Sequence, residues 1–135
     1  MSQQIAFEVT VPAPYEQAIE KTTAALKSEG FGILTRIDVK QTLKEKLNAE
    51  FRPYAILGAC NPPLAHRALS HNGQVGLMLP CNVTVEARED GGSRVAIVNP
   101  EAMMSVGVLA DNDVVCGVAA EARTRLERVA SALSQ

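Results

Sequence analysis

An α+β domain is the architecture this sequence predicts: a mixed or antiparallel sheet of about five strands with helices packed on one face. Three observations carry that expectation. Several segments alternate apolar and polar residues with period two, the mark of a strand with one buried face. Asp90-Gly91-Gly92 joins two such segments and is a strong hairpin turn. The segments between strands carry helical periodicity, and the last is a long apolar stripe. Because the strands alternate instead of reading apolar throughout, one sheet face is expected to meet solvent. The element order reads β-α-β-α-β-α-β-β-α-α.

The first strand is Ile5 to Val11, with Ile5, Phe7, Val9 and Val11 on one face. Pro12 and Pro14 end it and open a helix, since proline fits a first helical turn. Tyr15, Ala18, Ile19, Thr22, Ala25 and Leu26 fall on one side of that helix, and Gly30 closes it. Phe31 to Ile37 reads as a strand with Phe31, Ile33 and Ile37 on one face. Asp38 with Gln41 is a capping-box variant opening a helix to about Leu47, striped by Val39, Leu43 and Leu47. Tyr54 to Ala59 is a third strand. Asn61-Pro62 then pairs an N-cap with proline at the first helical position. Leu64, Ala65, Ala68 and Leu69 form the buried face of that helix, and His71 to Gly76 reads as a loop. Asn82 to Glu89 and Arg94 to Val98 flank the hairpin. Asn99-Pro100 starts a short helix from Glu101 to Ser105, and the segment from Val106 to Ala110 has no clear signature. In the last helix, capped by Asp111 or Asp113, Val115, Val118, Ala119, Ala122, Leu126, Val129, Ala130 and Leu133 lie on one stripe. Glu121–Arg125 and Arg123–Glu127 are opposite-charge pairs on its outer side.

Composition narrows the function classes. At 135 residues the chain is expected to be one domain, 1–135, large enough to bury a core without metal or disulfide. Thirteen basic residues against fifteen acidic ones leave a net charge of −2, so the basic footprint of a nucleic-acid binder is missing. Aromatics are 4% with no Trp, which removes a base-stacking platform. The start MSQQIAFEVTV has no basic region or long apolar run, so no targeting segment and no membrane span are expected. Three cysteines, an odd number, fit a reduced cytoplasmic protein rather than a disulfide framework.

Candidate chemistry centres on two Cys-Asn pairs. Cys60 precedes the Asn61 cap, where the positive end of a helix favours a thiolate. Cys81 precedes Asn82 at the entrance of a strand. Strand ends of one sheet often share an edge, but spacing leaves open whether these two meet. The competing reading is plain core packing, the ordinary fate of free cysteine, and Cys116 beside the last helix stripe fits it best. There is no Cys-x-x-Cys or His-x-x-x-His pair. Cys60, Cys81 and His66 would make three ligands only if the fold gathered them, so no metal and no cofactor are expected. The segment Gly30-Phe31-Gly32 precedes a strand and is not a dinucleotide fingerprint. A nucleophile elbow is absent. Arg36, Lys40, Lys44, Lys46 and Arg52 form a locally basic patch diluted by Asp38, Glu45 and Glu50, read as a solvated face.

Three stretches taken together resemble the domain of unknown function 302 family. They are Gly30-Phe31-Gly32-Ile33-Leu34-Thr35-Arg36-Ile37-Asp38-Val39-Lys40, Tyr54-Ala55-Ile56-Leu57-Gly58-Ala59-Cys60-Asn61-Pro62, and Leu79-Pro80-Cys81-Asn82-Val83. The similarity runs over nearly the whole chain, including Ala120-Glu121-Ala122-Arg123. It implies a TATA-binding-protein-like α+β fold, often dimeric, without implying DNA binding. The positions it singles out are Asp38, Cys60, Asn61, Pro62, Pro80, Cys81 and Asn82. It strengthens the expectation that Cys60 and Cys81 share a site and supplies no reaction.

Three functional readings follow. The leading one is a non-catalytic homodimer binding a small ligand or a partner, with Asp38, Cys60, Asn61, Pro62, Cys81 and Asn82 at the site. The second is a thiol-dependent redox or sulfur-handling protein, with Cys60 as thiolate and Cys81 as resolving thiol. The third is an interaction subunit whose apolar C-terminal helix packs on another chain.

Overall fold

A computed structural model describes residues 4–134; the first three residues of the N-terminal stretch considered above lie outside the described residues. The strands are β1 (Ala6–Val11), β2 (Gly32–Asp38), β3 (Tyr54–Cys60), β4 (Cys81–Ala87) and β5 (Ser93–Val98). The helices are α1 (Tyr15–Ser28), α2 (Val39–Leu47), α3 (Pro62–His71), α4 (Pro100–Met103) and α5 (Asp113–Leu133). The strands form one sheet in the order β1-β5-β4-β3-β2, and every neighbouring pair is antiparallel. The expected α+β class holds, and of the two sheet types considered the antiparallel one is found. Among the described residues no helix is long and apolar enough to cross a membrane.

Register separates the two faces. Leu57, Val83 and Ile97 lie in one row across the sheet, as do Ala55, Val85, Val95 and Val9. All are buried, and together with Ala18, Leu26, Val115, Leu126 and Val129 they belong to one apolar cluster. Helices α1 and α5 therefore cover this inner face, and the apolar stripe of α5 is consumed within the chain. This removes the basis for the third reading, because that stripe is not free to pack on another chain. The outer face carries Ile56, Thr84 and Ala96 in its middle row, all partly accessible.

Local signals explain most boundaries. The Asp38 carboxylate accepts from the Gln41 N–H at 2.9 Å and opens α2. Asn61 and Asn99 cap α3 and α4 in the same manner. Helix α1 ends in a Schellman motif: the Gly30 N–H donates to Lys27 O and the Phe31 N–H to Leu26 O, with Gly30 at φ 85°. Phe31 and Leu26 are both buried there. Arg125 clamps the same terminus from α5, donating to Glu29 O at 3.1 Å. The two charge pairs on α5 form as expected, Arg125 with Glu121 and Arg123 with Glu127, both at 3.1 Å.

Several local expectations are corrected. The cap of α5 is Asn112, whose Oδ1 accepts from Val114 and Val115 N–H at 3.0 Å, not Asp111 or Asp113. A register shift between Ile33 and Thr35 turns the end of β2 over, so Ile37 pairs with Ile56 on the outer face and is 48% exposed. Leu69 and Leu47 are exposed; α2 has no buried residue, and α3 buries only Leu64 and Ala68. The stretch read as a loop is instead the end of α3 followed by a 3-10 turn, Gly73–Met78, that buries Val75. A second 3-10 turn spans Gly107–Asp111.

Of the two glycines in the described strands, Gly58 is the one with no room for a Cβ. A Cβ there would lie 2.7 Å from Pro80 Cγ and would also meet the Thr35 hydroxyl. Gly58→Ala is expected to destabilise the fold by about 1–3 kcal/mol, as overpacking does. A thermal melt beside the parent protein checks this, and an unchanged midpoint would refute the close fit.

Candidate functional site

The fold brings Cys60 and Cys81 together. Cys60 is the last residue of β3 and Cys81 the first of β4. Ala59 lies opposite Cys81, so the cysteines are one register step apart and border the same cavity. That cavity is about 40 Å³. It lies between the sheet end and the helices, against Leu64 and Ala68 of α3 and Val118 and Ala122 of α5. Phe31, Val75 and Met104 complete much of the wall. No lining side chain is charged.

The local sequence explains why the cysteines end up here. Asn61 must turn the chain from β3 into α3, and its buried side chain accepts from the Leu64 N–H at 3.2 Å. Gly30 makes room for this cap, since a Cβ there would lie 2.8 Å from Asn61 Nδ2. On the other strand the cis Leu79–Pro80 bond delivers the chain into β4 at Cys81.

Burial decides the state of the thiols. It pushes the Cys60 thiol above its ordinary value. It pushes Cys81 up from 9.0 to about 11, with the neighbouring Cys60 adding a smaller push in the same direction. Burial moves the Cys60 thiol in the direction opposite to activation, and the redox reading finds no support in the geometry. Both cysteines are free.

The remaining site candidates separate. Asn61 borders the cavity, but its carbonyl oxygen is engaged as a helix cap. Pro62 is exposed at the first turn of α3 and does not border the cavity. Asn82 is exposed and borders a second, smaller cavity of about 30 Å³, which it shares with Cys81. Asp38 is not brought to the site. It pairs with Ala55, five residues from Cys60 along β3, which is roughly 17 Å at strand rise. His66 is exposed and borders neither cavity. Among the described residues no group of three or more His, Cys, Asp or Glu could hold a metal ion. A wider cleft of about 370 Å³ opens at the opposite sheet end, but its charges compensate one another, as in the pairs Arg52–Glu86 and Arg88–Asp90.

Sequence reasoning missed the methionines. Met104 is buried and borders both small cavities, while Met78 and Met103 border the second. Met78 stands three residues before Cys81, a spacing that could have drawn attention to it. Met103 and Met104 are distant in sequence and gave no local signal.

The family Domain of unknown function DUF302 matches residues 7–133. The chain belongs to this family. The crystal structure of an uncharacterized conserved DUF302 protein from Bacillus stearothermophilus is similar, with a TM-score of 0.84 and 29% identity. The match covers 96% of this chain and 98% of that one. No curated protein matches the sequence. Membership in DUF302 accounts for the fold and assigns no activity.

Access and burial set an order of thiol reactivity. On the native protein at pH 8, iodoacetamide is expected to label exposed Cys116 first and Cys60 more slowly. Cys81 is expected to label only as the pH climbs from 9.0 towards about 11. Mass spectrometry of each cysteine peptide checks this, and fast labelling of Cys81 at neutral pH would refute it. Because its folded value is raised, the Cys81 thiol favours the native state below pH 9.0, and this contribution fades as the pH rises through about 11.

Proposed function

We propose that this DUF302 protein is a non-catalytic binding domain, acting as a homodimer, that holds a very small ligand in the cavity beside Cys60 and Cys81. The carrying observation is the cavity of about 40 Å³ with its uncharged lining. Sites for ordinary organic ligands run to roughly 300–1,000 Å³, and even benzene needs a cavity of roughly 150 Å³. An occupant of one to a few heavy atoms fits here without opening the fold. Absence of catalysis is supported by the lining itself. General acid–base chemistry needs a group poised near neutral pH. The wall offers two thiols that keep their protons and one amide engaged as a helix cap. Three free cysteines support a reducing compartment, and we read the protein as a single cytoplasmic domain.

Self-association is supported by the outer sheet face. A solvated face of an antiparallel sheet is normally polar. Here Ile37, Ile56, Thr84 and Ala96 share its middle row without a charge, with Glu8 and Arg94 near its margin. An uncharged centre with both signs of charge at its edge can complement a second copy of itself across a two-fold axis.

Two measurements test this reading. Xenon, a single-atom apolar probe, is expected to shift the methyl resonances of Leu64, Val75 and Val118 in a pressure-dependent way. Silent methyls would remove the cavity as a ligand site. Sedimentation is expected to give a dimer that Ile37→Lys converts to a monomer with little change in melting temperature. A monomer at every concentration would remove the homodimer.

A further inference from the structure

Sulfur is concentrated around two small cavities that share part of their walls. Cys81 and Met104 border both of them. Cys60 borders the first, and Met78 and Met103 border the second. The chain has three cysteines and four methionines, so most of its sulfur flanks this one place. The sulfurs arrive from separate elements: the end of β3, the start of β4, the turn before it, and α4 with the residue after it.

The donor set selects a class of ligand. No carboxylate or imidazole lines either cavity, so calcium and magnesium find no charged oxygen ligands. Zinc would find two thiols where it takes four nitrogen or sulfur ligands. Thiolate and thioether are soft donors and favour Cu(I). Charge points the same way. An apolar wall penalises any net charge placed behind it. One monovalent cation with one thiolate is neutral, and thioethers add no charge. Volumes of about 40 and 30 Å³ admit a single ion.

We infer that the paired cavities bind one soft monovalent cation of the Cu(I) class, through the sulfurs of Cys81, Cys60 and Met104, with Met78 and Met103 as further thioethers beyond Cys81. Binding breaks the S–H bond of Cys81 and forms an S–Cu bond. The proton passes to water, and no oxidation state changes. The inference rests on reading the first cavity as a ligand site and names its occupant.

The test is an anaerobic titration with Cu(I) against the competing chelator bicinchoninate. It uses Cys116→Ser as the parent, because exposed Cys116 lies outside the cluster. The parent is expected to withdraw one equivalent of Cu(I) and to develop ultraviolet copper–thiolate absorption. Cys81→Ser is expected to weaken binding beyond the ~10–100-fold that losing a mere supporting partner costs. Met104→Leu, close in volume, is expected to weaken it by about tenfold, the lower end of that range, with an unchanged fold. Bound Cu(I) is expected to abolish the xenon shifts. No uptake by the parent, equal uptake of Zn(II), or binding unaffected by both Cys81→Ser and Met104→Leu overturns the inference. If copper fails while xenon enters, the cavity stands and its occupant is of another class. If neither binds, both readings fall.

Discussion

The last turn of β3 is covered on both sides, and the position of the site depends on this. Leu57, Gly58 and Ala59 are consecutive and all buried, where a strand with one wet face would alternate. Leu57 and Ala59 meet the helices. Gly58 points the other way, where Pro80 and Thr35 close over it. A strand sealed in this manner cannot slide by one residue, because sliding would move every inner side chain outward and press a side chain into the Gly58 gap. The pairing of Ala59 with Cys81 is thus held in place from outside the cavity. The neighbouring positions of the two cysteines follow from the packing of a glycine on the far face of the sheet.

At that strand end two electrostatic effects compete, and burial prevails. A helix N-terminus stabilises an anion by typically 0.3–1 kcal/mol, and by about 2 in favourable partly buried geometries. Asn61 already satisfies one of the free N–H groups of α3, which diminishes what remains for Cys60. Against this stands a wall of Phe31, Leu64, Val75 and Val118, which withholds part of the solvation an anion needs. The raised thiols are the result. A site of this kind suits a ligand that brings its own positive charge, and it suits poorly a chemistry that needs a free thiolate in the resting protein.

What the sequence revealed depends on how local each determinant is. Asp38, Asn61 and Asn99 were legible as caps because each acts on N–H groups two or three residues away. The cap of α5 was misassigned because Asp111, Asn112 and Asp113 are all competent and sequence alone does not choose among them. The turning-over of β2 was invisible, since the shift after Ile33 is defined only against β3. The Gly73–Met78 turn was hidden by its polar, glycine-bearing composition, although Val75 inside it is fully buried. Cys60 and Cys81 were legible as candidates from their junction positions, but their meeting is a property of strand register. The methionines contribute through a cavity wall assembled from distant elements, and no window of sequence contains that wall.

Six of the seven positions singled out by the family resemblance can be sorted by what the fold requires of them; the seventh, Asn82, is exposed beside the second cavity. Asp38 and Asn61 are required as caps, Pro62 as the first residue of α3, and Pro80 as the cover over Gly58. These roles account for their residue types without any ligand. No such account exists for Cys60 and Cys81. Each borders an apolar cavity, and neither is held in a disulfide that would require sulfur. A packing role asks only for volume and apolarity, and cysteine is not the sole residue that supplies them. Two cysteines placed together against a small cavity, with Met104 completing the wall, are economically explained if the sulfur itself is used. The structural positions build the end of the sheet, and the sulfur positions are what that end holds.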